Sequence, residues 1–395
     1  MSTAVPAPAA TTTSGVSGTL RAVYQFNVGA SVDLAGAEAL LGAFQPSRGK
    51  LQTSRRIPKD FGYGDDPPVR IMIHQTEGAS GHFEVATTAQ LDGHGFVVTE
   101  VTFYEFGVME VVLESKFTNL ALDKLIRLRA MIADEDKSEP IYQTAERLML
   151  ELAGIIDNAI VDRFQEVTTE DYAVVVISNA RASDDPTGSK LPFDPAAFVA
   201  LHRAQISQLI QGEAKQHSPA QIEFLTGAQG QLSFYQDCVF FVSYYSTVII
   251  GLEDPDVSDV VLIVCAQGLE LQYLTDLAEK YTAETRRLVG QQEVTPAHYN
   301  RIQAFILELG ARLLTVKNAV NLIGDPDLKR LFVLTIQQLD VRDPLEELGQ
   351  TVDNMSGILN TETNIGMSRE VVKYDRWILI FVIVSCLLSL LYFIR

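Results

Sequence analysis

The sequence predicts an α+β chain: an N-terminal mixed α/β part, then long antiparallel coiled-coil helices, then one C-terminal transmembrane helix. Three observations carry this. Strand-like alternation recurs up to residue 253. Apolar positions three and four apart dominate residues 254–370. Residues Trp377 to Ile394 read WILIFVIVSCLLSLLYFI, without a charge. Period two marks strands, and a sustained three-four alternation marks helices sharing a seam. An uncharged run of eighteen residues rises ~27 Å as a helix, close to the ~30 Å hydrocarbon core of a bilayer.

Residues 1–18, MSTAVPAPAATTTSGVSG, are small and uncharged, too poor in apolar side chains to offset ordering, and read as a disordered lead. No basic-then-apolar signal sequence is present there. The first α/β unit, 19–165, opens with the strand LRAVYQFNV and a short helix after Asp33. Ser47 to Pro68 is a loop by its Pro, Gly and Asp content. Strands follow at VRIMIHQ and HFEVATTAQL, then the pair FVVTEVTFYEF and GVMEVVLES with Gly107 at the turn. Helices are expected over Asn119–Ala133 and Pro140–Phe164.

The plan then restarts in a second unit, 166–253. DYAVVVISN is a strand, Asp194 and Pro195 cap a helix running to Gly212, and QDCVFFVSYY with STVIIGL repeat the strand pair. Two duplicated strand-helix-strand-strand units are one reading of that recurrence, and two unrelated hairpins are the other.

The helical region, 254–370, has seams through Val260, Val264, Gln267 and Leu271, through Ile302, Ile306, Leu309 and Leu313, and through Leu345, Leu348, Val352, Met355 and Leu359. Gly290 and Gly324 end successive helices, and short connections make them antiparallel neighbours. Pro344 should kink or break the third helix, and Asp343 could cap a restarted helix. Continued as a rod from Pro326, that helix would outrun its neighbour near Asn354. Met355 and Leu359 would then face water unless a second copy or the first of these helices covered them; anchoring in one plane favours the second copy, so the seam predicts a homo-oligomer.

Trp377–Ile394 is expected to anchor the chain in a lipid bilayer as a single pass, no other stretch being long and apolar enough. Arg369, Lys373 and Arg376 before the span place the body on the cytoplasmic side, where it would meet protein partners. A net charge of −19 disfavours nucleic acid, which needs basic surface. Three cysteines, two in apolar runs and one in the span, form neither a disulfide framework nor a metal spacing. Arg48, Lys50, Arg55, Arg56 and Lys59 form a candidate anion-binding loop, with a solvated loop paired to its own Asp60, Asp65 and Asp66 as the blander reading. His74, His82 and His94 match no metal-ligand spacing, and no phosphate loop or nucleophile elbow occurs. No catalytic residue and no cofactor are therefore expected. The alternative enzyme reading rests on the Asp60–His74 region alone.

The strand pairs, the helix DVVLIVCAQGLELQYLTDLAEKY, and LDVRDPLEELGQTVDNMSGILN leading into YDRWILIFVIVSCLLSLL resemble the "required for meiotic nuclear division" family. That resemblance implies a membrane-tethered organiser, whose mitochondrial relatives support translation at the inner membrane. NTETNIGMSREVV before the span is similar to the pore approach of CorA-like magnesium transporters. That family's Gly-Met-Asn motif and second membrane helix are absent here, so this alternative implies a transporter relative lacking the pore.

Overall fold

The computed structural model describes residues 15–48, 68–73, 87–132, 139–181, 193–227, 231–235, 237–251, 255–291, 296–322 and 326–357. They form an α+β fold in two units. The first comprises residues 1–271 and 315–342, the second 272–314 and 343–395.

The first unit is built on one ten-stranded sheet, whose elements run β1 (Gly15–Val32), α1 (Leu34–Leu40), β2 (Ser47–Arg48), β3 (Val69–Met72), β4 (Thr88–Leu91), β5 (His94–Phe103), β6 (Val108–Ala121), α2 (Leu122–Ile132), α3 (Pro140–Ile155), β7 (Ile160–Arg181), α4 (Pro195–Gln211), α5 (Pro219–Thr226), β8 (Gln231–Tyr235), β9 (Cys238–Val242) and β10 (Ser246–Gly251). The sheet order is β2-β3-β5-β6-β1-β7-β10-β9-β8, with β4 beside β5. Both expected α/β units thus share a single sheet, joined through the β1–β7 pair. Each strand trio lies together, but β1 and β6 are antiparallel whereas β7 and β10 are parallel. The repeat of element order is not a repeat of topology.

Alternation along β1 divides two cores. Leu20, Ala22, Tyr24, Phe26 and Val28 join the apolar cluster formed with α1–α5. Arg21, Val23, Gln25 and Asn27 face the other way, where Arg21 and Gln25 meet the start of α6 (Pro255–Gln291). A sheet covered on both faces needs apolar side chains at successive positions. CVFFV in β9 and STVIIG in β10 are accordingly buried at every residue.

Several boundaries differ from expectation. β1 begins at Gly15, four residues inside the supposed lead. There the chain lies against β7 so closely that a Cβ on Gly18 would come within 1.8 Å of the Val176 carbonyl oxygen, which explains the small residues. α3 stops at Ile155, and β7 takes residues 160–164 that read as helix. As expected, Asp33 caps α1 by accepting from the Ala35 N–H, Asp194 caps α4 through Ala197, and Gly107 makes the β5–β6 turn at φ +84°.

α6 is the one helix among the described residues long and apolar enough to cross a membrane, over Val257–Arg287, so the C-terminal run is not alone in that property. However, 72% of its most apolar window is buried inside the protein, as in a core helix. The segment Trp377–Ile394 lies outside the described residues.

The second unit holds the end of α6, most of α7 (Pro296–Leu322) and residues 343–357 of the last described helix. Tyr281 stacks on Phe305 with ring centroids 4.0 Å apart, and Arg301 lies over the Tyr281 ring. Thr285 satisfies its hydroxyl on the Tyr281 carbonyl in its own helix.

The third helix is not a rod. α8 (Pro326–Gln338) ends where Asp340 takes φ +54°. The Val341 N–H reaches back to the Ile336 carbonyl and the Asp340 N–H to that of Gln337. This is a Schellman stop, its left-handed residue four positions before Pro344, where the break was expected. Pro344 then sits in the first turn of the next helix, where its missing N–H costs nothing.

Candidate functional site

Beneath α6 lies a layer of polar side chains that alternation sends to the second face of the sheet. Arg21 of β1 stands opposite Glu114 of β6, and Gln25 opposite Glu110. The Arg21 Nε donates to Glu114 at 3.1 Å and its Nη1 to Ser258 of α6. The Gln25 amide donates to Glu110 at 2.6 Å and to the Leu262 carbonyl of α6 at 3.0 Å. On β3, the Arg70 guanidinium bridges Glu100 at 3.3 Å and Asp259 of α6 at 3.4 Å. Three contacts of this layer therefore end on one helical turn, Ser258 to Leu262. Their role is to hold α6 in place and in register.

Burial drives the electrostatics. The Glu110 carboxyl, wholly buried, is pushed from 4.5 up to about 7, chiefly by desolvation and further by the charges of Glu100 and Asp259, against its bond from Gln25 and the pull of Arg70. Burial works against the Arg70 charge, but Glu100 and Asp259 outweigh it and hold the guanidinium protonated. The Cys265 thiol is pushed well up by burial, then by Glu110 and Glu170, and so stays a neutral, unreactive thiol. The Gln25 Oε1 and Asn27 Oδ1 are buried acceptors without a partner. The layer thus offers a group that can carry a proton near neutrality, but no activated nucleophile.

A second cluster lies on the first face, at the C-terminus of α4. Gly212 ends that helix in the left-handed region. Ser243 and Ser246 donate to the Ile210 carbonyl, and Ser246 also to that of Leu209. Arg129 of α2 is buried beside Gly212 and donates from Nη2 to the Tyr245 carbonyl, while its Nε and Nη1 have no partner. Burial lowers its pKa to about 10. Its charge complements the negative end of the α4 dipole.

The sites read from the sequence fall elsewhere. Arg48 is the last residue of β2, paired with Val69, while Lys50, Arg55, Arg56, Lys59, Asp60, Asp65, Asp66 and His74 lie outside the described residues. In the seam, Leu348 and Met355 are buried within the single chain and Leu345 and Val352 half-buried; Leu359 lies outside the described residues. Met355 is thus covered within the single chain. Among the described residues no group of three or more His, Cys, Asp and Glu side chains is placed to hold a metal ion. The second-face layer went unread, although Gln25, Asn27, Glu110 and Glu114 each interrupt otherwise apolar strands at the spacing of one face.

A two-faced α+β domain with helices on one side and a clasped core helix on the other is the class these features define. The chain belongs to the family of the N-terminal domain of the uncharacterized protein MJ0711, which matches residues 17–256. The match therefore takes in the sheet and α1–α5 and ends where α6 begins. No curated protein and no solved structure matches the chain.

Proposed function

We propose that this chain is a membrane-anchored, non-enzymatic scaffold whose α/β body faces the cytoplasm and docks protein partners, with its helical region as the stalk. The observation that carries this reading is the uncharged run Trp377–Ile394, preceded by Arg369, Lys373 and Arg376. Two further features support it. The ionisable groups on the second face bind one another and α6. The order of parts also resembles the "required for meiotic nuclear division" family, which implies a tethered organiser.

Deleting residues 377–395 should move the protein from carbonate-washed membranes to the soluble fraction, because the other spanning-length helix is held inside the fold. A truncated chain that still pellets would sink the anchor. Protease added outside sealed cells should leave the body intact, and its digestion there would reverse the orientation.

A further inference from the structure

α7 has two apolar faces and uses one. Ile302, Phe305, Ile306, Leu309 and Leu313 are buried. On the opposite side Ala297, Asn300, Ala304, Leu307, Ala311 and Leu314 are all exposed, Leu307 to 68% and Leu314 to 59%. They recur at steps of three and four, the period of a coiled-coil seam. None carries a charge, on a chain whose net charge is −19.

The geometry points to α7 as a self-association surface that pairs antiparallel with α7 of a second copy of this chain. A twofold axis between Phe305 and Ile306 sets every member of the exposed row against another member of it. Leu307 then meets Ala304 of the second copy, Leu314 meets Ala297, and Asn300 meets Ala311. Each leucine faces an alanine, the large-against-small alternation that lets two helices approach closely. Parallel pairing would instead set leucine on leucine and alanine on alanine, leaving gaps in alternate layers.

Charge selects the register. Arg301 and Glu308 are exposed along one margin of the row, at equivalent positions of successive heptads. In the stated register Arg301 of each copy comes beside Glu308 of the other, twice by symmetry. Sliding by one heptad, so that Ala304 meets Leu314, sets Glu308 against its own counterpart. Like charges across an interface disfavour that alternative. Glu308 already holds Arg312 in its own chain at 2.9 Å, and Arg301 lies 5.4 Å from the Tyr281 ring centroid, so both side chains stand fixed along that margin. A second copy fits better than an unrelated acidic partner, because the row supplies its own complement in size and in charge.

This deepens the scaffold reading and rests on it only for its setting in a membrane. The test uses the full chain in detergent, followed by sedimentation equilibrium. Wild type should be dimeric at micromolar concentration. Arg301→Glu and Glu308→Arg should each weaken association about tenfold, and the two together should restore it to within about threefold. Leu307→Asp, on an exposed position, should give a folded monomer by circular dichroism. A monomeric wild type, single reversals without effect, or a double reversal without recovery would each overturn the pairing. Any of these with the chain still membrane-bound leaves the anchor standing.

Discussion

Glu110 is a carboxyl whose protonation the fold shifts to near neutrality. Its folded pKa is raised, so the native state holds a proton that the unfolded chain releases from about 4.5 upward. Stability from this group is fully present below pH 4.5 and lost as pH rises toward about 7, in total about 3 kcal/mol at 1.36 kcal/mol per unit. Urea midpoints measured from pH 4.5 to 8 should fall over that window, and Glu110→Gln should flatten the fall. An unchanged slope in the variant would assign the dependence elsewhere. Two arginines, Arg70 half-buried and Arg129 buried, offer a contrast. Arg70→Met leaves Glu100 and Asp259 without their cation and should cost roughly 3 kcal/mol. Arg129→Met removes one bond to a carbonyl and two unpartnered N–H donors, and should cost about 1 kcal/mol or less. Equal losses in thermal or chemical unfolding would mean that Arg129 has a partner its surroundings do not reveal.

At the scale of elements, the β5–β6 turn is the most exacting. Gly107 has φ +84°, and a Cβ there would lie 1.9 Å from the Gly29 carbonyl oxygen, backbone that cannot swing aside. Gly107→Ala should therefore lower stability by roughly 2 kcal/mol or more, read as a lowered denaturation midpoint. This turn was legible because glycine between two alternating runs has few other uses. The caps at Asp33 and Asp194 were legible for the same reason, since each precedes an apolar helix as an N-cap must. The stop at Asp340 was not. Its αL residue is an aspartate, a weaker signal than glycine, and Pro344 four residues later drew the eye.

At the scale of the molecule, both expected units share one sheet. Local alternation reports which residues alternate, not which strands meet, and the β1–β7 pairing joins positions some 150 residues apart. The polar layer escaped for a related reason. Arg70 and Asp259 read singly as surface charges, and only the folded sheet brings them together under α6. The run DYAVVVISN was legible as a strand, and its residues Ala173 to Ile177 are buried.

The central place of β1 bears on how the chain is made. Both of its neighbours, β6 and β7, come later in the sequence, and β7 starts only at Ile160. During synthesis at ~5–20 residues per second, β1 waits on the order of ten seconds on the ribosome before its second edge can be closed. For that interval a long, apolar strand is open to any nascent chain nearby. Its production should therefore lean on chaperones that shield unpaired edges co-translationally, more than that of a fold whose first strand finds its partner in the next hairpin.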